Sequence, residues 1–476
     1  LFIWRKAGYQ SLWASEFAAA FRGDAAYEGA TPEAVRALAR EEALWAQGKP
    51  MFWGHLNAPI RGLTNNYHGV QALYMDDNWR SHRAWGISAM LPWDQGAFHT
   101  RVRPASARPN PARWEKLKAP GVVPDWFPDG EWDVGTGAEA DFARTKVGDV
   151  LYRWNREDCA FIGGAGVFTD KRHHYRPGEE LRKTLVILND RRVEQEVAWT
   201  WTLAETTRAG TARVPAGGRV DVPLACTLPQ KAGAWELKAA FTFAGGAVQR
   251  DAFALETYAP AKTARVENLL LCDPVGLTAK AFDRLGIAYG RTDGRAGLPD
   301  AARLVVGRGA LTRTLFNDVV VPAARRRGRV LIFEQDKETL ESIGFRAQNY
   351  GLRNAFARYP EPRLALTDAK LRDWNGAATL IPTHLQNLAE IETGYPRERW
   401  AGFDNTRVWR CGNRGSLASV LPEKPSVGDW RALVDGAFDL QYAPLLDWMV
   451  ERGRITFCQL DVTARTVADP VADDLV

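Results

Sequence analysis

The chain has 476 residues, of which 62 are basic and 57 acidic, and its formal net charge is +5. A chain of this length exceeds a single hydrophobic core and predicts about three domains. The small, scattered basic excess argues against nucleic acid as a partner, and no stretch approaches the roughly 18 apolar residues of a membrane span.

Three residue classes refine this picture. Nineteen tryptophans favour carbohydrate binding, since sugar rings stack on aromatic faces, although filling of cores and domain seams is the alternative. Five cysteines, far apart and odd in number, form no CxxC or Cys/His cluster, so neither a zinc site nor a disulfide framework is indicated and we expect buried free thiols. We expect no metal and no cofactor. The run Arg325, Arg326, Arg327 is interpreted as a solvated helix end rather than a polyanion site. Both ends of the sequence look cut, and a secretory signal upstream would not be visible.

Residues 1–102 alternate between helix and strand signals. A helix is predicted over residues 31–47, where Thr31 is the N-cap and Pro32 takes the first helical position. A second helix is predicted over residues 71–85, followed directly by an apolar strand over residues 86–93 and a polar loop. This rhythm is typical of a βα unit.

Residues 103–144 carry recurrent prolines with tryptophans between them, which predicts a strap packed along the preceding domain. Residues 145–260 contain short alternating strands, polar turns and no predicted helix, a pattern typical of an antiparallel sandwich. Residues 261–476 contain apolar strands separated by helices, which predicts a parallel sheet covered on both faces. Near the end, residues 445–451 are predicted as helix and residues 454–459 as strand.

The segment WRSHRAWGISAMLPWDQG, residues 79–96, resembles the last helix–strand unit of clan A glycoside hydrolases, particularly family 2-like bacterial β-glycosidases. The resemblance implies that residues 1–102 are the C-terminal part of a TIM (β/α)8 barrel. It also implies that Trp93 is a platform beneath the sugar, with Asp94 and Gln95 at the rim, where barrel active sites lie. The alternative is that Trp93 only packs against the strap.

Two further segments resemble accessory domains of such enzymes. HHYRPGEELRKTLVILNDRR, residues 173–192, resembles the start of the immunoglobulin-like domain that follows the barrel. EKPSVGDW, FDLQYAPLL and FCQLDVTART resemble the flavodoxin-like, glutamine-amidotransferase-like domain of some bacterial glycosidases, including the trimerisation domain of family 42 β-galactosidases. The latter implies a homo-oligomer formed through residues 261–476. Arg308 stands where an amidotransferase nucleophile is expected, and Cys272 and Cys458 lie within predicted strands, so we predict a catalytically silent domain.

Glycoside hydrolysis requires two carboxyl groups, and in the clan these lie on the fourth and seventh barrel strands. The acid/base is therefore expected outside this chain. Glu16 is the candidate nucleophile, because the run YQSLWASEF is similar to the strand-terminal Ser/Thr-Glu-Phe/Tyr of the clan. Two alternatives stay open. Glu16 could cap a helix, or residues 49–55, which contain no Glu, could be the seventh strand.

A polar and aromatic stretch over residues 55–68 suits the binding of sugar hydroxyls, and an ordinary surface loop is the alternative. Its candidate binding residues are His55, Asn57, Asn66, Tyr67 and His68.

The sequence thus predicts a retaining β-glycosidase acting on an oligo- or polysaccharide, with a β-galactoside as one candidate substrate. The alternative is a non-catalytic carbohydrate-binding or assembly component with an incomplete or inactive barrel. An active amidotransferase is disfavoured by the missing Cys elbow. Cellular location is not determined by these residues, although the family resemblance implies a periplasmic or secreted protein.

Overall fold

The structure is a computed structural model. It describes residues 4–5, 76, 79–80, 83–84, 87–89, 99–101, 142–165, 171–261, 266–294, 297–352, 355–357, 365–377, 414–425, 427–436 and 442–476. The described residues combine a two-sheet sandwich, antiparallel except for one short strand, with a larger mixed sheet flanked by helices. A mixed α/β plus β class, as predicted, is therefore what this part of the chain forms.

Among the described residues before the sandwich are four short strands: β1 Trp4–Arg5, β2 Ile87–Ala89, β3 His99–Arg101 and β4 Phe142–Arg144. Strand β2 falls inside the predicted strand over residues 86–93, and residues 76, 79–80 and 83–84 are helical inside the predicted second helix. However, β1 pairs with β2, and β3 with β4, in antiparallel fashion. Strands of a (β/α)8 barrel are parallel, and the residues described here form no such barrel.

The first long element is the helix Lys146–Trp154, capped by the Thr145 hydroxyl, which accepts a hydrogen bond from Gly148 N at 3.1 Å. The prediction that residues 145–260 contain no helix is therefore wrong at this point. A hydroxyl at the N-cap satisfies an otherwise free amide of the first turn, and here it starts a helix directly before the sheet. Trp154, fully buried at the end of this helix, packs edge-on against Phe161.

The sandwich consists of eight strands: β5 Asp158–Gly163, β6 His174–Tyr175, β7 Glu180–Asn189, β8 Gln195–Leu203, β9 Thr206–Val214, β10 Gly218–Thr227, β11 Gly233–Thr242 and β12 Val248–Thr257. One sheet has the order β10-β7-β5 and the other β6-β12-β11-β8-β9. Alternating side chains of both sheets form one apolar core, as the alternation of the sequence predicts.

One glycine of the sandwich is required by a close approach. Gly210 of β9 lies opposite Trp199 of β8, and a Cβ at Gly210 would lie 2.5 Å from the indole ring. The ring therefore rests on bare backbone, which buries one face of the indole without displacing the strand.

Helical residues before the sandwich contact it through charged side chains. Arg80 Nη1 lies 3.4 Å from a carboxylate oxygen of Asp251, and Arg83 Nη2 lies 2.9 Å from one of Asp190. Trp154 Nε1 donates to the carboxylate of Asp76. These contacts fix Asp76, Arg80 and Arg83 against one end of the sandwich.

The remaining strands are β13 Leu269–Cys272, β14 Gly290–Arg291, β15 Arg303–Val306, β16 Arg329–Ile332, β17 Ala347–Leu352, β18 Ala355–Ala357, β19 Trp374–Ala377, β20 Arg414–Gly415, β21 Ala418–Pro422, β22 Trp430–Gly436, β23 Tyr442–Val450 and β24 Gly453–Cys458. The main sheet has the order β14-β13-β15-β16-β24-β23-β22-β18. Its first five strands are parallel and the last three are added in antiparallel fashion, so the expected parallel sheet is found with a mixed flank.

Helices cover both faces of this sheet, as predicted. The helix Leu277–Leu285 buries Ala279 and Phe282 on one face. On the other face Arg313–Leu315, a π-helical turn Phe316–Val320 and Val321–Arg325 form one continuous helical stretch. Three shorter helices are Lys337–Ser342, Val462–Arg465 and Pro470–Leu475, and Asp368–Leu371 is a 3-10 turn.

The predicted helix over residues 445–451 is wrong, because this segment belongs to strand β23. A short apolar run satisfies helical and extended patterns equally, so periodicity alone does not distinguish them. Here β23 pairs with β22 on one side and with β24 on the other. Hydrogen bonding to two neighbours decides in favour of the strand.

Candidate functional site

All residues predicted to handle the sugar lie outside the described residues: Glu16, His55, Asn57, Asn66, Tyr67, His68, Trp93, Asp94 and Gln95. Their roles stay predictions. The described residues contain another place where functional side chains are expected, since ligands of open α/β sheets bind at the carboxyl ends of parallel strands. In this sheet those ends are followed by Asp273, Arg308, Glu334 and Asp461.

Glu334 follows β16 and is completely buried. Its carboxylate accepts hydrogen bonds from Thr463 N at 2.8 Å and from Thr463 Oγ1 at 3.0 Å. Burial, together with the neighbouring Asp461 carboxylate, raises the pKa of Glu334 to about 8. The group therefore retains a proton at a pH where an exposed glutamate is ionised, yet no solvent reaches it.

Asp461 lies between two arginines. Arg308 Nη1 is 3.6 Å from one carboxylate oxygen, and Arg465 Nε donates to the other at 3.2 Å. All three side chains are buried, with exposed fractions of 6% for Arg308, 1% for Asp461 and 1% for Arg465. Buried charges are stable only when they are paired and hydrogen-bonded, which this arrangement provides.

Arg465 also ties the surrounding backbone together. Its guanidinium donates to the carbonyls of Trp374 at 3.1 Å, Asn375 at 2.8 Å and Gly376 at 2.7 Å, and to that of Ser416. Burial lowers the pKa of Arg465, although the Asp461 carboxylate opposes this effect. The fork of donors therefore acts as a structural tie between β19 and the segment that leads into β21.

Two glutamines join the neighbouring strand ends. Gln335 N donates to Gln459 Oε1 at 2.7 Å, and Gln459 Nε2 donates to Gln335 O at 2.9 Å. The side chain of Gln335 donates to Gly307 O at 2.9 Å and accepts from Leu311 N at 3.0 Å. The ends of β15, β16 and β24 are thus joined by hydrogen bonds. Arg308 N itself donates to Thr278 Oγ1 at 2.8 Å.

The thiols of this domain are poorly suited to nucleophilic attack. Cys272 and Cys458 end β13 and β24, and their predicted burial is confirmed. Burial raises the pKa of both thiols, so neither forms a thiolate readily. Arg308 occupies the strand end at which a nucleophile was considered. This edge of the sheet can hold charge and protons but presents no described nucleophile.

A second polar cluster joins the sandwich to the α/β part through β6. His174 Nδ1 lies 3.1 Å from Asp469 Oδ2, and His174 Nε2 lies 2.9 Å from Ala369 O. Both ring nitrogens face acceptors, and an imidazolium, which carries a proton on each nitrogen, is the form that satisfies both. Burial opposes this charge, but the Asp469 carboxylate outweighs it, and the pKa of His174 is raised.

The sequence pattern of the two adjacent histidines indicates only the start of the sandwich. His173 differs from its neighbour, because burial and the nearby Arg372 lower its pKa to about 3, although the Asp373 carboxylate, 3.3 Å from Nε2, opposes this shift. Its Nδ1 lies 2.7 Å from Ala254 O, and its ring stacks on Phe253. No local pattern distinguishes the two rings, since the difference arises from partners about 200 to 300 residues away in the chain.

Two observations bear on other classes of site. Within the described ranges, no group of three or more His, Cys, Asp or Glu side chains is arranged to hold a metal ion. The helices in the same ranges are all too short or too polar to cross a membrane.

No family model and no curated protein matches the chain. Among solved structures, the chain is similar to a CARDB domain from Pyrococcus furiosus crystallised in complex with di-metal ions, with 9% identity, coverage of 21% of this chain and 85% of that one, and a TM-score of 0.18. The solution structure of that domain is similar with 10% identity, coverage of 21% of this chain and 94% of that one, and a TM-score of 0.17. Red sea bream transglutaminase gives 10% identity over 30% of this chain and 22% of the enzyme, with a TM-score of 0.18. Likenesses this slight carry no argument about family or activity.

The buried carboxyl of Glu334 leads to a pH-dependent prediction. Its pKa rises from 4.5 in the unfolded chain to about 8 in the folded one, so the native state keeps a proton that the unfolded state loses. The contribution of Glu334 to stability is therefore expected to fall as pH rises from 4.5 towards 8. Glu334→Gln, which resembles the protonated form, is expected to remove this slope.

Urea unfolding of wild type and Glu334→Gln at several pH values measures the effect. Glu338→Gln is the matched control, because Glu338 is exposed on the next helix. A pH slope that is the same in all three proteins would contradict the raised pKa.

Proposed function

We propose that this chain serves a retaining β-glycosidase in which residues 1–102 carry the sugar chemistry. In this proposal Glu16 is the nucleophile and Trp93 is the platform beneath the sugar. Residues 145–260 are an immunoglobulin-like sandwich, and residues 261–476 are a catalytically silent, amidotransferase-like domain that supports assembly.

The proposal that residues 261–476 are catalytically silent is supported by the close packing at the carboxyl edge of their parallel sheet. Arg308, where a nucleophile would be needed, is buried and lies beside Asp461, and that carboxylate is bonded to Arg465. An active centre needs a nucleophile within reach of a base and of the substrate. With the edge filled by mutual hydrogen bonds, the chemistry of the protein is assigned to the N-terminal segment, where the glycosidase resemblance lies.

The contact between the sandwich and the domain of residues 261–476 favours a role for both as a rigid support. The buried His174–Asp469 pair, the ion pair of Arg176 with Asp473 at 2.6 Å and the hydrogen bond from Asn375 Nδ2 to His174 O at 2.9 Å all cross this boundary. Buried polar networks of this kind fix one relative position of the elements they join. A fixed orientation suits a support for a neighbouring catalytic domain.

One observation favours the second candidate, a non-catalytic carbohydrate-binding or assembly component. Strand β2, which overlaps the predicted eighth barrel strand, pairs with β1 in antiparallel fashion. Barrel strands pair in parallel. A segment that has lost the barrel would bind sugar or partner chains without hydrolysing a glycosidic bond.

Replacing the proposed nucleophile separates these two candidates. Glu16→Gln is expected to lower kcat/KM on dinitrophenyl β-glycosides by roughly a hundredfold or more, because the amide cannot form the glycosyl-enzyme bond. Dinitrophenolate leaves without help from a general acid, so this substrate reports on the nucleophile even if the acid/base lies elsewhere. Glu205→Gln is the matched control, since Glu205 is exposed at the turn between β8 and β9.

A mechanism-based reagent provides the second arm of the test. A 2-deoxy-2-fluoro β-glycoside with a good leaving group is expected to add one sugar to the wild type and to Glu205→Gln, with peptide mass spectrometry locating it on Glu16. Unchanged hydrolysis by Glu16→Gln, or a sugar attached at another carboxylate, would remove Glu16 from the mechanism. Absence of hydrolysis in the wild type, with retained binding of the glycoside, would favour the non-catalytic candidate.

A further inference from the structure

The amino edge of the main parallel sheet, opposite the edge described above, is rich in arginine. We name this surface the arginine edge, and it comprises Arg303, Arg325, Arg326, Arg327, Arg329, Arg452 and Arg454. Of the seven, Arg454 is partly buried and the other six are exposed.

Three of these side chains form a ladder across adjacent strands. Arg303 of β15 is in register with Arg329 of β16, and Arg329 is in register with Arg454 of β24. Residues in register on neighbouring parallel strands project from the same face of a sheet, about 4.8 Å apart. The sequence gives no sign of this ladder, because its members are separated by 26 and 125 positions.

Backbone contacts place the run Arg325, Arg326, Arg327 beside the ladder. Ala301 N donates to Arg326 O at 3.0 Å, and Arg454 N donates to Gly328 O at 3.1 Å. The loop after the helix Val321–Arg325 therefore lies between the starts of β15 and β24. The run and the ladder form one continuous surface.

The positive charge of this surface is only partly balanced. Arg325, Arg326 and Arg454 have acidic neighbours, Glu451, Asp300 and Asp447, at 3.6, 3.6 and 3.4 Å respectively. The other four, which are Arg303, Arg327, Arg329 and Arg452, form no ion pair with any residue that the structure describes. Like charges on neighbouring strands repel each other, so an anionic partner would stabilise this arrangement.

The backbone at the end of the run favours glycine rather than arginine. Arg327 has φ +65°, in the left-handed region, at the position after a helix where glycine is favoured. The helix dipole attracts cations to the last turn, which accounts for the interpretation of the run as a solvated helix end. It does not account for a strained arginine beyond the helix, or for Arg303 and Arg329, which begin strands.

We propose that the arginine edge binds an acidic polysaccharide of the polyuronate type. Each guanidinium presents paired N–H donors that match a carboxylate in a bidentate manner. A polyuronate carries one carboxylate on every sugar ring, so its regular single charges are complementary to a ladder of single guanidinium groups. The choice of a polysaccharide over other polyanions rests on the proposed glycosidase function, and the surface would hold the polymer away from the site of hydrolysis.

The test compares two triple variants that lose the same charge. One variant combines Arg303→Gln, Arg327→Gln and Arg329→Gln, which remove three of the four arginines of the edge that form no ion pair with a described residue. The other combines Arg182→Gln, Arg208→Gln and Arg213→Gln, which remove three exposed arginines of the sandwich. Titration with polygalacturonate at low salt is expected to show binding by wild type and sandwich variant. The affinity of the edge variant for polygalacturonate is expected to be lower by a factor of about ten or more. Added salt should weaken the binding of all three proteins. Neutral dextran is the uncharged control.

Several outcomes would overturn the proposal. The first is equal binding of polygalacturonate by the two triple variants. The second is tighter binding of single-stranded DNA than of polygalacturonate, and the third is binding of dextran sulfate without any binding of polygalacturonate. Arg327→Gly serves if the edge variant does not fold, because it relieves the left-handed backbone, and it is expected to weaken binding about two- to threefold.

The binding test is independent of the hydrolysis test. Binding that depends on the edge, found together with full activity of Glu16→Gln, would leave the surface in place and remove the proposed nucleophile. Loss of activity in Glu16→Gln, found together with equal binding by the two triple variants, would exclude the arginine edge as a binding surface and keep the proposed nucleophile.

Discussion

Replacing Arg465 by methionine is expected to lower the free energy of unfolding by about 3–5 kcal/mol, because it removes one partner of a buried charged network. Methionine has a similar length but no donors, so the Asp461 carboxylate and the carbonyls of Trp374, Asn375, Gly376 and Ser416 lose their shared partner. Each buried acceptor left without a donor adds its own cost of desolvation.

Urea unfolding measures this change, with Arg213→Met as the matched control. Arg213 is 78% exposed and lies 3.7 Å from Glu196, so its replacement is expected to change stability by less than about 0.5 kcal/mol. Arg465→Lys keeps the charge but loses the planar fork, and an intermediate loss is expected. A loss below about 1 kcal/mol for Arg465→Met would show that the network contributes little to folding.

Asp469→Asn is expected to destabilise the protein by about 3–5 kcal/mol near pH 6, since it leaves the His174 imidazolium without its counter-charge. The Asp469 carboxylate also accepts from Asn375 N at 2.8 Å and from Val471 N at 2.9 Å. The amide of asparagine can satisfy only part of this set. The contact between β6 and the helix Pro470–Leu475 is expected to weaken first.

The pH dependence of this loss follows from the two pKa shifts. The pKa of His174 is raised above 6.5, so its contribution is fully present below 6.5 and is lost as pH rises through the folded value. Burial raises the pKa of Asp469, but His174 and the backbone donors outweigh this and lower it below 3.8. The contribution of Asp469 is therefore present above 3.8 and is lost as pH falls through the folded value. The difference between wild type and Asp469→Asn should be largest between pH 3.8 and 6.5.

Asp474→Asn is a matched control on the same helix, since Asp474 is 45% exposed and lies 3.1 Å from Lys370 Nζ. An exposed pair of this kind contributes little, so stability should be nearly unchanged. Imidazole nitrogen NMR should also find His174 doubly protonated at neutral pH in wild type and in Asp474→Asn. A neutral His174 at pH 6, or equal effects of the two substitutions, would contradict the buried ion pair.

Much of the fold was predictable from local patterns. The alternation of residues 197–203 and 252–257 is found in β8 and β12. The strand-like runs at 268–272, 302–306 and 329–334 contain the parallel strands β13, β15 and β16. The helices predicted between these strands are represented by Leu277–Leu285. These elements have either period-two alternation or bounded apolar runs, so local sequence was enough to predict them.

The candidate site was less predictable. Glu334, Asp461 and Arg465 lie at or beyond strand ends and resemble ordinary polar loop residues in the sequence. Their association depends on bringing β16 and β24 side by side, which joins residues more than 120 positions apart. The two adjacent histidines show the same limit, because opposite pKa shifts arise from different long-range partners.

By itself the sequence determined which segments are sandwich and which are α/β, since hydrophobic periodicity and turn residues act over a few neighbouring positions. Tertiary structure alone decided that residues 442–450 are a strand, because pairing with two neighbours outweighs an ambiguous local pattern. It likewise decided that three distant arginines form a ladder and that a buried histidine is charged. Register and burial are properties of packed strands, and no local segment encodes them.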